Sequence, residues 1–300
     1  PEAMLQRMTH IAYLGSGLLG SGFAEAAAKR GDQVTAWNRT IEKARALEQF
    51  GVSVAPTPAD AVRGTARVHL VLKDDAVVEE VIAAFRSGLP PDAIIIDHTT
   101  TQPALTAARA RRLNAEGVRY LHCPVFIGPD AAREGRGTIL SSGARALFDS
   151  VKDDLSRMAR RVEYLGERPD LAAVYKLCGN ALIIGVTALM SDVFAIARES
   201  DVSSQDALKL FDFFNPAGIF TGRGKNLADA DFRPRFELAM ARKDVRLMLE
   251  TAAGTPLITL PGIAERMDAL IAEGYGAEDM GVIGKDSVSF ARFDSQSSAR

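Results

Sequence analysis

Cysteine is almost absent from this chain. Only Cys123 and Cys178 occur in 300 residues. That is too few for a disulfide framework and fits a reducing, cytoplasmic setting. Histidine is as sparse: His10, His69, His98 and His122 show no HxxxH or similar ligand spacing, so no metal is expected. Neither sign of charge prevails. The chain carries 36 basic and 38 acidic residues, a net charge of -2. This gives no general attraction to nucleic acid or to an anionic membrane. Residues 1–10 lack the apolar core of a signal peptide and read as a short leader; 294–300 read as a frayed tail. One stretch, 177–197, imitates a membrane span. Asn180, Ser191 and Asp192 interrupt it and Lys176 precedes it. Polar groups facing lipid are costly, so the expectation is a long helix buried by protein on most sides.

What the chain does have is a rhythm. Val- and Ile-rich runs at 11–15, 33–37, 68–72, 93–97, 120–124 and 138–142 alternate with Ala-rich stretches of helical spacing, such as 22–30, 76–85 and 104–115. Such alternation predicts a parallel sheet with helices on both faces. The rhythm stops near Gly166. Beyond it 171–199, 204–213, 236–253 and 260–273 all read as helices. Gly, Pro and charges cluster at 166–170, where a boundary is expected: an α/β domain over 9–168 and an all-α domain over 169–300.

The first strand leads into Gly15-Ser16-Gly17-Leu18-Leu19-Gly20, then an Ala-rich helix, then a second strand at 33–37. Strand, turn, helix and strand in about 30 residues match a dinucleotide-binding βαβ unit. Gly15 permits the tight turn, Gly17 lets a pyrophosphate approach the backbone, and Gly20 allows helix and strand to touch. The helix N-terminus offers its unpaired N–H groups to the phosphates. After the second strand an acidic residue usually meets a free ribose 2′-hydroxyl. Here Asn38, Arg39 and Thr40 stand instead. Arg39 can pair with a 2′-phosphate and its neighbours can donate to it. NADP(H) is therefore the preferred cofactor and NAD(H) the second choice. The competing reading is that Arg39 is simply a solvated residue at a helix start.

Further motifs follow in order. Asp97-His98-Thr99-Thr100 with Pro103 ends a strand, where α/β sheets place their ligands. Alone, these threonines would read as an ordinary helix cap. Pro124-Val125 opens a loop, Lys176 and Asn180 stand four apart, and Phe232-Arg233-Pro234-Arg235-Phe236 is followed by Lys243-Asp244. Together with the glycine turn these motifs resemble the β-hydroxyacid dehydrogenase family, which includes 3-hydroxyisobutyrate dehydrogenase, tartronate semialdehyde reductase and glyoxylate reductase. The resemblance covers about 11–286. It implies a Rossmann domain joined by a long helix to an all-helical domain, and a homo-oligomer, dimer or tetramer, formed through the latter. It implies that Lys176 is catalytic and that Asn180 orients the substrate. Thr99 and the loop Phe126-Ile127-Gly128 then belong to the substrate; Leu72, Lys73, Thr100 and Lys243 belong to the cofactor.

Two departures stand out. Phe126-Ile127-Gly128 replaces the family's Ser-Gly-Gly, which helps hold the substrate carboxylate, and narrows the expected pocket. Leu72-Lys73 replaces Leu-Pro and adds a charge near the cofactor edge.

Residues four apart on a helix share one face. An ammonium there can give a proton to a substrate oxygen as hydride arrives, or take one in the reverse direction. Asn180 can fix that oxygen by hydrogen bonding. The expected function is NADP(H)-dependent interconversion of a small 2- or 3-hydroxy acid and its aldehyde or keto acid. An imine reductase is the enzymatic alternative, although that related group tends to carry Asp or Tyr in place of the lysine. A non-catalytic NADPH-binding scaffold is the other alternative. Elsewhere the expectations are structural: Cys178 as core, Cys123 as a small buried group, Asp192 and Glu199 as structural, His98 and His122 along the cleft, and 109–112 as a solvated basic helix face.

Overall fold

The computed structural model describes Thr9 to Val288. It divides into two compact units, the first ending at Ala181 and the second beginning at Leu182. That division falls inside a helix, later than the boundary expected at 168/169.

The first unit holds nine strands: β1 (His10–Leu14), β2 (Gln33–Trp37), β3 (Ser53–Val54), β4 (Arg67–Leu70), β5 (Ile94–Asp97), β6 (Arg119–His122), β7 (Val125–Phe126), β8 (Thr138–Ser141) and β9 (Arg161–Tyr164). Its helices are α1 (Leu18–Lys29), α2 (Ile41–Arg45), α3 (Pro58–Val62), α4 (Asp75–Phe85), α5 (Pro103–Ala115), α6 (Pro129–Arg133) and α7 (Arg145–Ser156); α8 (Leu171–Arg198) begins in it. Six strands form a parallel sheet in the order β3-β2-β1-β4-β5-β6. This is the Rossmann order, and it reverses direction between β1 and β4, where such sheets bind their ligands.

Side chains alternate across the strands. Ile11 and Tyr13 of β1 enter a core with Phe23, Val34 and Ile96. Ala12 and Leu14 enter the opposite one, with Leu70, Ile82 and Phe85. Burial on both faces explains why these strands read as continuous apolar runs. The run at 138–142 belongs to a separate three-stranded sheet, β7-β8-β9. Neither β3 nor β7 was legible, because two residues carry no alternation. In β9 no side chain is buried: Arg161 is exposed and Val162, Glu163 and Tyr164 are half-buried.

The basic run at 109–112 is not a solvated face throughout. Arg109 is buried: its guanidinium donates to Asp75 at 2.7 Å and Glu79 at 2.7 Å, and lies 3.6 Å from Asp97. On α5 it faces the sheet, while Arg111 and Arg112 face outward.

The second unit contains the rest of α8 together with α9 (Ser204–Ala207), α10 (Pro216–Ala228), α11 (Leu238–Thr251) and α12 (Leu260–Ala272). Leu238, Ala241 and Val245 of α11 meet Ala264, Met267 and Leu270 of α12. Phe232 and Phe236 of the Phe-x-Pro-x-Phe motif pack on that core. Asp192 is structural, as expected. Its carboxylate accepts from the amides of Ile258, Thr259 and Leu260 at 2.7–3.0 Å, serving the N-terminus of α12.

The expectation for the long helix is overturned. Leu182, Ile183 and Ile184 of α8 are 58–68% exposed, and Cys178 is exposed rather than core. Among the described residues α8 is also the one helix long and apolar enough to cross a membrane. Apolar composition foretells cover; it does not say which surface supplies it.

Candidate active site

The β1–α1 turn is built on two glycines that the fold itself demands. Gly15 has φ +104°, and a Cβ there would lie 2.1 Å from the Val71 carbonyl oxygen. A Cβ on Gly20 would lie 1.9 Å from the Gly15 oxygen. Gly17 differs: nothing approaches its Cβ position within 4 Å. Protein packing does not require a glycine there, but a pyrophosphate against the backbone does. Beside it Ser16 Oγ is buried without a hydrogen-bond partner. As N-cap of α1, Gly17 supplies no side-chain cap. The turn is tied to the end of β2 by the Ser16 amide, which donates to Asn38 Oδ1 at 3.0 Å.

A cavity of about 330 Å³ opens here, bordered by Gly15, Gly17, Asn38, Arg39, Lys43 and Leu72. The Asn38 amide donates to the Thr40 carbonyl at 2.8 Å, so it shapes the loop and is only partly free for a ligand. Thr40 caps nothing with its side chain. Neither Arg39 nor Lys43 has a side-chain hydrogen bond or ion pair among the described residues. Two unpaired cations beside a phosphate turn suit an anionic ligand. Lys43 was missed in the sequence; its position on the first turn of α2, one turn after Arg39, is the signal that would have found it. Lys73 also borders the cavity and lies 3.8 Å from Asp74.

Thr99 is buried, and its hydroxyl accepts the Leu72 amide at 3.1 Å. This bond joins the ends of β4 and β5, and leaves the hydroxyl proton to donate elsewhere. Asp97 accepts the Thr99 amide at 3.0 Å and the Tyr120 hydroxyl at 2.8 Å. Thr100 is exposed. His69, His98 and His122 lie beneath this turn, buried inside the protein. His98 Nδ1 sits 2.7 Å from the Cys123 oxygen, and His98 Nε2 sits 2.9 Å from His69 Nδ1. A carbonyl only accepts, so His98 Nδ1 carries the proton and His69 Nδ1–H donates to His98 Nε2. Burial lowers the pKa of His98 to about 4 and that of His69 well below its usual range. Burial raises that of Cys123 to about 12, so its thiol is inert, as expected for a small buried group.

On α8, Lys176 Nζ donates to Asn180 Oδ1 at 3.0 Å. Burial of the half-exposed ammonium lowers its pKa from the usual 10.5. The Phe126 ring lies across it, 4.4 Å from centroid to Nζ. Phe126 also fills the space beside Gly179, where a Cβ would lie 2.2 Å from Cζ. Lys176, Asn180 and Phe126 are thus brought together. Ile127 instead packs toward the sheet core, and Gly128 is the exposed N-cap of α6. No hydrogen bond joins Thr99 to Lys176 or Asn180. Lys243 belongs to the second unit and pairs with Asp244 at 2.9 Å. Gly179 was not singled out in the sequence, although a glycine within a long helix signals a close approach.

A Rossmann sheet, a glycine turn and unpaired cations define a dinucleotide-binding protein. Residues 10–166 match the family model described as the NAD binding domain of 6-phosphogluconate dehydrogenase. The chain carries an NAD(P)-binding domain of this type and belongs to the β-hydroxyacid dehydrogenase family. It is 27% identical to the cytokine-like nuclear factor N-PAC of Xenopus tropicalis over 80% of this chain but only 45% of that protein. The chain thus spans less than half the length of that relative. It is 27% identical to glyoxylate/succinic semialdehyde reductase 1 of Arabidopsis thaliana, over 82% of this chain and 88% of the other. An imine reductase from Pseudomonas sp. shares the fold with a TM-score of 0.83, at 22% identity over 93% of this chain and 99% of the other.

Proposed function

We propose that this protein is an NADP(H)-dependent oxidoreductase that interconverts a small 2- or 3-hydroxy acid and its aldehyde or keto acid. The observation that carries the reading is the Lys176–Asn180 hydrogen bond on one face of α8, at a half-buried ammonium. Gly15 to Gly20 hold the pyrophosphate, and Arg39 and Lys43 hold the 2′-phosphate. A bound nicotinamide supplies or takes the hydride. Lys176 gives its proton to the carbonyl oxygen during reduction and recovers one during oxidation. Its lowered pKa makes that transfer easier near neutrality. Asn180 orients the ammonium through Oδ1 and keeps its N–H groups for the substrate.

A second copy of the chain is the proposed cover for the apolar side chains of α8. Asp192, buried on the same helix and engaged with four donors of the second unit, fits protein surroundings better than lipid.

The fold shared with imine reductases leaves imine reduction as a second reading, and the likeness to a nuclear factor leaves a scaffold as a third. Following nicotinamide absorbance with aldehyde acids, keto acids and imines separates them. Turnover of carbonyl acids supports the proposal, turnover of imines alone favours the second, and tight NADPH binding without turnover favours the third.

A further inference from the structure

Phe126 and Gly179 are matched parts. Phe126 extends from β7, where it pairs with Thr138 of β8, to reach α8. Its ring tip occupies the place of a side chain at Gly179: a Cβ there would fall 2.2 Å from Cζ and 2.6 Å from Cε1. The other glycine of α8, Gly185, has nothing within 4 Å of its Cβ position. A glycine weakens a helix, and at 179 it lets the tip of the ring reach the helix beside Lys176. The result is an ammonium with Asn180 Oδ1 on one side, at 3.0 Å, and an aromatic ring on another, at 4.4 Å.

We propose that Phe126, seated against Gly179 and over the Lys176 ammonium, is a specificity-determining residue that bars a carboxylate next to the reacting carbon and selects a carbonyl compound with an apolar group there. The inference rests on the reading of Lys176 as proton donor and narrows the proposed substrate range: it removes the 2-hydroxy acids, whose carboxylate sits on the reacting carbon, and keeps acids whose carboxylate lies farther along the chain. A carbonyl oxygen that takes the Lys176 proton brings the groups on its carbon against the ring. The ring has no N–H or O–H to offer, and its face is electrically negative. A carboxylate against the ring would leave water on that side without gaining a donor from it. A methylene or larger apolar group would gain contact with the ring. Phe126 also favours the charged lysine through its ring face, so it serves the proton donor while selecting the substrate. A carboxylate farther along the chain is compatible with this arrangement, since it lies beyond the ring.

The test compares kcat/KM with NADPH for glyoxylate, succinic semialdehyde and butanal. In glyoxylate the carboxylate sits on the reacting carbon; in succinic semialdehyde two methylenes intervene; butanal has no carboxylate. The parent protein is expected to prefer the last two by about 100-fold, the scale of a mispaired polar group in an apolar site. Phe126→Ser should raise kcat/KM for glyoxylate about 10-fold or more, mainly through KM, and lower it for butanal, with NADPH affinity unmoved. Gly179→Ala should displace the ring and reproduce that shift. Adding it to Phe126→Ser should change nothing further, because the ring is already gone. A parent that reduces glyoxylate as well as butanal, or either variant with an unchanged preference, overturns the proposal while leaving Lys176 in place. A parent that binds NADPH and reduces none of the three overturns the Lys176 reading and this inference with it.

Discussion

The guanidinium of Arg109 lies 3.6 Å from the carboxylate of Asp97, and neither side chain has exposed surface. The same carboxylate accepts the Thr99 amide and the Tyr120 hydroxyl. Arg109 therefore holds the substrate-motif turn from beneath, with Asp75 and Glu79 balancing its charge.

Removing one member of such a buried set strands the others. Arg109→Met should cost about 3–5 kcal/mol of stability, the range for breaking a buried ion pair from one side. Denaturant melts of parent and variant at one pH give the difference directly. Arg109→Lys should recover only part of the loss, because an ammonium lacks the fork that reaches several acceptors. A loss below about 1 kcal/mol, as seen for surface pairs, would show that the network does not hold the turn.

Acid should unfold the first unit through its histidines. Burial keeps His98 neutral down to about pH 4, against a usual value of 6.5. Between those values the unfolded chain binds a proton that the folded one refuses. Stability is thus fully present above about pH 6.5 and is lost as pH falls toward 4, by up to about 3 kcal/mol for His98. The lowered His69 and His122 act in the same direction. Urea unfolding at pH 7 and pH 5 reads this. A midpoint that stays level or rises toward pH 5 would contradict it.

Arg39 and Lys43 should set cofactor choice. Arg39→Ala should weaken NADPH binding by about 1–3 kcal/mol, typical of a charge-assisted contact, and leave NADH nearly unchanged. Lys43→Ala should act in the same sense. Calorimetric titration of the parent and both variants with both cofactors measures all six values. Equal affinity of the unaltered protein for NADPH and NADH would remove the 2′-phosphate from the account.

Much of this was legible in the chain. The doubly buried strands announced themselves as apolar runs, and the three glycines located the tight turn between β1 and α1, where Gly15 and Gly20 each answer a steric need. Lys176 and Asn180 were placed on one face by their spacing alone. Other features were hidden because they depend on tertiary contacts. Arg109 looks like its neighbours Arg111 and Arg112 until α5 is laid on the sheet, and only then does one arginine turn inward. The apolar middle of α8 signalled burial without naming the surface. Phe126 was visible as a departure, but its seat against Gly179 was not, since 53 positions separate them.

The central claim is that Lys176 moves the proton. Single-turnover absorbance of NADPH with a small aldehyde acid, in parent and Lys176→Ala protein, tests it most directly. A helix accepts alanine well, so folding should persist, and NADPH affinity should be unchanged because the glycine turn and Arg39 are untouched. The rate of hydride transfer should fall by about 100- to 10,000-fold, the usual worth of a positioned general acid. In the parent the rate of reduction should fall as pH rises through a pKa below 10.5, as the buried ammonium loses its proton. A Lys176→Ala protein that transfers hydride at the parental rate would contradict the account.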